Sequence, residues 1–373
     1  MANENTSSIK IMPPDFNREV HCLLGLPFDA VNMPSAVRRI RASAADRSPC
    51  FLSTPNLNFL IAAQSDAAFR NSVINSHLSI ADGMPLIWIA RLLGIPIRER
   101  VAGSALFDAL RLDTGKPLSV FFFGGPDGAA EAACRQLNLK KRGLTCAGFE
   151  SPGFGTIEEM SDDGIIQRIN ASNADFLVVS LGAKKGQAWI ERNRGRITVP
   201  VISHLGAVVN FVAGTVLRAP VWMQNTGLEW LWRIKEDPAL WRRYFWDGLA
   251  LLKLLAVRVL PYVWFLLRHK PVDGQLTAGV ETTEDEENFI IHLRGVWTLQ
   301  NIQTLRDCFI KAARAEKDVR LEMSGVTYVD SAFVGLVMLL QGHQSQSLGQ
   351  LKIEHMPARV RRIFKYCCSE SLC

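Results

Sequence analysis

Several things that would each fix a function class are missing from this sequence. Its eight cysteines include no Cys-x-x-Cys pair of the metal-binding kind. Cys367, Cys368 and Cys373 crowd the end of the chain, where neighbours cannot build a regular disulfide framework, so reduced thiols in a cytosolic compartment are expected. No Asp-x-Asp stands at a strand end; Asp162-Asp163 reads as a helix cap, and chemistry without a metal or other cofactor is expected. The absence of a complete Gly-x-Gly-x-x-Gly argues against a dinucleotide oxidoreductase. Residues 1–10 are polar and lack the apolar core of a signal peptide, so export is not expected. The net charge of +6 is modest, and no nucleic-acid partner is expected.

What is present is apolar and periodic. The 373 residues, 48% hydrophobic and 21% charged, suffice for two domains and do not have the composition of a disordered chain. Over about residues 22–220, β-rich runs alternate with helical spacing. Val120-Phe-Phe-Phe-Gly124, Phe176-Leu-Val-Val-Ser-Leu181 and Val199-Pro-Val-Ile-Ser203 are the near-continuous apolar runs that parallel strands buried on both faces require. Between the strands, residues 128–137 and 163–171 carry helical periodicity. The expected class is α/β: a Rossmann-like parallel sheet over residues 1–225, an amphipathic helical appendage over 226–272, an acidic linker over 273–287 and a small α/β domain over 288–373.

In the appendage, a helical wheel of residues 242–268 gathers Arg242, Arg243, Asp247, Lys253, Arg258 and Arg268 within less than half the circumference. Phe245, Leu249, Leu252, Leu255, Ala256, Val259, Val263 and Leu266 take the opposite arc, and a kink is expected near Pro261. Eight Lys or Arg against four Asp or Glu over residues 229–270 place a net +4 here. A transmembrane helix would bury Lys253 and Arg258 mid-span at about 3 kcal/mol each. A basic amphipathic helix lying on the anionic cytoplasmic membrane surface fits better, and a helix packed on the protein's own core is the third reading.

The last domain alternates strand and helix, and its segment Tyr328-Val-Asp-Ser-Ala332 leads into a helix. It resembles a STAS domain, the fold of anti-sigma-factor antagonists and sulfate-transporter tails. Asp330-Ser331 matches the junction where that family carries its regulatory phosphoserine, so the resemblance makes Ser331 a candidate modification site and implies a protein partner. Phosphate is favoured at a helix N-terminus. The family usually continues with Ser or Thr and then Gly, whereas this chain has Ala332-Phe333. An unmodified Asp/Ser cap is the competing reading.

The residues suited to chemistry sit at strand ends, where ligands collect in open α/β sheets. Asp82 and Gly83 end an apolar strand, Thr54 and Asn56 end another, and Phe123-Gly-Gly-Pro-Asp-Gly128 offers backbone from Gly124 and Gly125 to a diphosphate. Arg100 lies in Arg100-Val-Ala-Gly-Ser104, and Lys185 and Gln187 lie in Gly182-Ala-Lys-Lys-Gly-Gln187. Read without a family, Asp82 is a turn former or a base, and Arg100 a solvated arginine or a phosphate ligand.

Taken in order, these motifs resemble the WecG/TagA/CpsF glycosyltransferases, glycosyltransferase family 26, over roughly residues 52–244. The resemblance implies that Asp82 is the general base, with Thr54 and Gln187 beside it as catalytic groups. It also implies that Asn56, Gly83, Arg100, Gly124, Gly125 and Lys185 line the substrate pocket. Gly227-Leu-Glu-Trp-Leu-Trp-Arg233 through Trp241-Arg-Arg-Tyr244 matches the appendage that docks family members on the membrane, and so brings in Arg233, Arg242 and Arg243 as diphosphate ligands. The commoner family form reads Gly-Ala-Pro-Lys-Gln-Glu; here the amide comes one residue later, at Gln187, and the acid is absent.

The implied reaction moves a hexose, such as N-acetylmannosamine, its uronic acid or glucose, from a UDP-sugar to a polyprenyl-diphosphate-linked saccharide. It inverts the anomeric carbon, on the inner face of the cell membrane, in bacterial surface polysaccharide synthesis. A homo-oligomer is compatible with the sequence. The alternative is an inactive scaffold of the same fold that regulates synthesis through the STAS domain.

Overall fold

The computed structural model describes residues 14–140, 142–153, 155–271 and 277–372; residues 1–10, 273–276 and Cys373, all read above, lie outside the described residues. The hairpin of β1 (Val20–Leu23) and β2 (Leu26–Asp29) comes first, its two-residue turn holding Leu24 and Gly25 at φ 50° and 89°. β3 (Cys50–Ser53), β4 (Leu78–Ser79), β5 (Leu118–Gly124), β6 (Leu144–Glu150), β7 (Phe176–Ser180) and β8 (Val201–His204) then form one parallel sheet, ordered β4-β3-β8-β7-β5-β6.

Successive side chains of a strand point to opposite faces. Leu52, Val120, Phe122, Phe176 and Val178 therefore enter one core, and Phe51, Phe121, Phe123, Leu177 and Val179 enter another. Both faces are covered by helices, which is why these strands read as apolar runs rather than as alternation. β3 to β4 winds towards one edge and β5 to β6 towards the other, leaving a crevice at the C-terminal ends of the strands between them.

The C-terminal domain is a second sheet of β9 (Ala278–Glu284), β10 (Asn288–Trp297), β11 (Asp318–Val329) and β12 (Leu351–Glu354), ordered β12-β11-β10-β9, with β9 antiparallel to β10. Within the linker expected over 273–287, residues 278–284 are instead a strand: they pair with β10 as an exposed edge, whose acidic side chains suit an edge that must not pair further.

The two domains share one core. The helix Ser331–Gln346 is buried almost all round; it packs on the helix Gln303–Ala315 and its own sheet on one side, and on β1 and β2 on the other. At closest approach Gly335 lies against the β1 backbone, where a Cβ would stand 2.8 Å from the Val20 carbonyl oxygen.

Pro238–His269 is one helical stretch of 32 residues whose most apolar 18-residue window has a mean hydropathy of 1.9, long and apolar enough by composition to cross a membrane. Its contacts divide it. Val259, Tyr262 and Phe265 are buried in the shared core, and Tyr262 stacks on Tyr366 with centroids 5.5 Å apart. The Arg258 Nη1 donates to the Lys365 carbonyl at 2.6 Å and pairs with Glu370 at 2.8 Å, while Asp247 accepts from the Asn58 amide at 3.3 Å. Crossing a bilayer would strip all of these contacts.

Phe245, Trp246, Leu249, Leu252, Leu260, Trp264 and Leu267 face solvent. The single apolar arc read from the wheel is therefore split: its Phe245, Leu249 and Leu252 point outward and its Val259 inward. The cause is a π-helical turn at Leu255–Val259, which absorbs the missing N–H of Pro261 and shifts the phase, so one 100° wheel cannot describe both halves.

The cysteine expectation is also corrected. Cys134, on the helix Ala129–Lys140, and Cys146, on β6, form a disulfide with Cα atoms 5.1 Å apart. The helix-to-strand return brings together residues whose twelve-residue separation gives no sequence pattern.

Candidate active site

β3 and β4 are neighbours, so the segments that leave their C-terminal ends run side by side. The Asp82 N–H donates to the Pro55 carbonyl at 2.9 Å, which ties Asp82 to Thr54-Pro55-Asn56. The Asp82 carboxylate, its side chain 23% exposed, accepts from Arg100 Nη2 at Oδ1 (3.3 Å) and from the Gly103 N–H at Oδ2 (3.1 Å). A Cβ at Gly103 would come within 2.6 Å of Leu205 and 3.1 Å of the Thr54 methyl, so glycine lets this loop close onto the strand ends. Burial pushes the Asp82 carboxyl above its ordinary value, against Arg100 and the Gly103 N–H, which stabilise its charge. A half-enclosed carboxylate of raised basicity is suited to accept a proton.

The appendage closes over this group. The Arg100 Nη1 donates to the Gln224 carbonyl at 3.1 Å and its Nη2 to Glu229 Oε2 at 2.6 Å; Glu229 opens the helix Glu229–Glu236. Arg233, one turn on, reaches Glu229 Oε1 at 3.4 Å, and both Arg233 and Arg218 lie over the Phe211 ring, at 6.0 and 5.8 Å. Behind Arg100 a cavity of about 380 Å³ is lined by Arg91, Arg98, Glu99 and Arg100 with Met84 and Ile87. Three guanidinium groups around one space suit phosphate oxygens.

The expected residues therefore separate into those that converge and those that do not. Thr54, Gly83, Asp82, Arg100 and Arg233 come together. Asn56 adjoins them, but its Oδ1 is engaged as a helix cap, accepting from the Phe59 N–H at 3.2 Å. Gly124 and Gly125, at φ 83° and 97°, end β5 further along the crevice; Gly125 lies near Val209 and Ser180.

Gln187 does not join them. It is 1% exposed and donates to the Ser53 Oγ at 3.0 Å inside the fold, while Gly186 before it is buried against the His204 ring. Lys185 donates to the Gly155 carbonyl. Arg242 and Arg243 stand exposed on the long helix beside Trp241 and Tyr244, outside the Asp82 network.

Ser331 is 8% exposed, with its Oγ 3.0 Å from His21 Nδ1 at the domain junction, so a kinase would reach it only if the domains parted. Sequence reasoning missed Glu229 and Arg218. Glu229 sat inside a quoted motif, and an acid in the first turn of a helix was the available signal.

A family model described as Glycosyl transferase WecG/TagA/CpsF family matches residues 21–262, and one described as Mlab, STAS domain matches residues 280–367. Among curated proteins the chain is similar to the N-acetylglucosaminyldiphosphoundecaprenol N-acetyl-beta-D-mannosaminyltransferase of Bacillus spizizenii, 26% identical over 221 residues, which is 58% of this chain and 84% of the relative. A protein of the same description from Staphylococcus aureus is 25% identical over 224 residues, covering 59% of this chain and 85% of the relative.

Proposed function

We propose, since the chain belongs to the WecG/TagA/CpsF glycosyltransferase family, that this glycosyltransferase moves a hexose from a UDP-sugar to a polyprenyl-diphosphate-linked saccharide. The reaction takes place on the cytoplasmic membrane surface, in bacterial surface polysaccharide synthesis. The observation that carries the reading is the Asp82 carboxylate at the end of β4, held by Arg100 and the Gly103 N–H beneath a helix that supplies Arg233. The names of the relatives, whose acceptor is a diphosphoundecaprenol-linked sugar, support the substrate class.

In the proposed step Asp82 takes the proton of an acceptor hydroxyl as its oxygen bonds to the anomeric carbon. The bond from that carbon to the diphosphate oxygen breaks, and UDP leaves with the electron pair. Attack opposite the leaving group inverts the centre. Arg100, Arg233 and the arginines of the adjoining cavity meet the charge that builds on the diphosphate. Outward-facing Trp, Phe and Leu on the long helix, with Arg242, Lys253 and Arg268 beside them, hold the protein to the anionic leaflet where its acceptor lies.

A protein partner of the STAS domain binds somewhere other than the helix Ser331–Gln346, which β1 and β2 cover. The test is UDP release from a panel of UDP-hexoses with a polyprenyl-diphosphate-sugar acceptor. Acceptor-dependent release that falls at least a hundredfold in Asp82→Asn, with unchanged melting, is expected; near-normal turnover in that variant sinks the base assignment. Silence across the panel from folded, vesicle-bound protein favours the scaffold reading.

A further inference from the structure

Arg100 is shared between two carboxylates, and the sharing is unequal. Its Nη2 lies 2.6 Å from Glu229 Oε2 and 3.3 Å from Asp82 Oδ1, so the closer partner is the residue on the appendage. Arg100 and Glu229 are 17% and 16% exposed at their side chains, so solvent screens them little. The charged groups facing Asp82 are Arg100 from the loop before Gly103, and Glu229 and Arg233 from the helix Glu229–Glu236; Arg218 faces Glu229 from behind. Burial works to raise the Glu229 carboxyl, but Arg100, Arg233 and Arg218 outweigh it and hold it ionised. For Asp82, the same Glu229 charge works in the direction of burial and keeps the carboxyl high.

We propose that Glu229 is a positioning residue for the transfer reaction: by holding Arg100 to the appendage it denies Asp82 a full ion pair, which leaves that carboxylate free to accept a proton. Assembly of a competent base then depends on docking of the appendage helix, the same element that continues into the apolar membrane helix. The inference rests on the reading of Asp82 as the base. It adds that a residue outside the sheet sets the base's strength.

The experiment uses full-length protein on vesicles carrying the polyprenyl-diphosphate-sugar acceptor, and compares wild type, Glu229→Gln, Glu229→Asp and Asp82→Asn. With the like charge gone and Arg100 released to Asp82, Glu229→Gln should move the acid limb of the kcat/KM profile down by about one pH unit. It should also lower kcat about tenfold, with the donor KM within about threefold of wild type. Glu229→Asp, which keeps the charge, should recover the wild-type limb. Melting temperature and vesicle binding serve as folding controls.

A fall in kcat with the limb in place would mean a merely structural role and overturn the inference, as would a wild-type profile. If Asp82→Asn abolishes turnover while Glu229→Gln leaves the limb unmoved, only the role of Glu229 fails. If Asp82→Asn keeps its turnover, the base assignment fails and takes this inference with it.

Discussion

The outward apolar face of the long helix can be perturbed without touching the fold. Leu249 and Leu252 are 43% and 63% exposed and stand on the turns between Phe245 and the π-helical turn. Burying a whole leucine side chain stabilises by about 1.5–3 kcal/mol. About half of each of these two is open to solvent, so insertion into the acyl boundary should gain about 1 kcal/mol each. The double variant Leu249→Ser, Leu252→Ser should therefore lose about 2 kcal/mol of membrane binding, a fall of about thirtyfold in the partition coefficient. Co-sedimentation with vesicles rich in anionic lipid reads this directly.

The same variant should melt close to wild type, because solvent-facing substitutions away from caps and ion pairs change stability by about 0.5 kcal/mol at most. Raising the salt should weaken binding further, since Arg242, Lys253 and Arg268 act through screened charge. Unchanged partition would refute the docking face. A large drop in melting temperature would refute the account that separates the outward residues from the packed ones.

Two further results are expected. His21 and His77 are both driven down to about 4, chiefly by burial, and the His77 Nδ1 accepts from the Phe51 N–H, which requires the neutral ring. Their folded values lie below the ordinary value near 6.5, so the unfolded chain takes up protons first as the pH falls. Stability should be lost from about pH 6.5 down to about 4, at roughly 2 kcal/mol per histidine by pH 5. Urea melts of wild type and His77→Gln across that window should show a shallower loss in the variant, and parallel curves would contradict the linkage. Gly335→Ala would set a methyl 2.8 Å from the Val20 carbonyl oxygen; backbone cannot give way as a side-chain tip can, so unfolding should cost about 1–3 kcal/mol less. Wild-type stability in that variant would contradict the close packing of the two domains.

The legible part of the molecule was the part with one dominant period. β5 and β7 announced themselves because both faces are buried, and Asp82 because an acid and a glycine end such a strand. What stayed hidden depended on two elements meeting. The approach of Glu229 to Arg100 joins residues 129 positions apart, and nothing local in Glu229-Trp-Leu-Trp marks the meeting. Gln187 was misplaced because a one-residue shift on a helix turns a side chain by about 100°, and here the amide ends buried on the Ser53 hydroxyl. Residues 278–284 looked like linker because an edge strand open to water keeps the acidic composition of one.

The shared core changes what a truncation can reveal. Val20, Cys22, Leu23, Val259, Tyr262 and Phe265 are buried in the same cluster as Phe333, Val337, Ile363 and Phe364 of the C-terminal domain. Removing that domain would uncover an apolar face on the transferase and release the inner side of the long helix. That helix would then carry apolar residues on two sides and should aggregate or insert indiscriminately. Loss of activity on deleting residues 278–372 would therefore not identify the domain as a regulator. A regulatory role has to be read from substitutions on its free surface, such as the β9 edge, while the helix Ser331–Gln346 stays seated on β1. Only there can a change in turnover be separated from the loss of the scaffold that holds the long helix, and through it Glu229, against the candidate base.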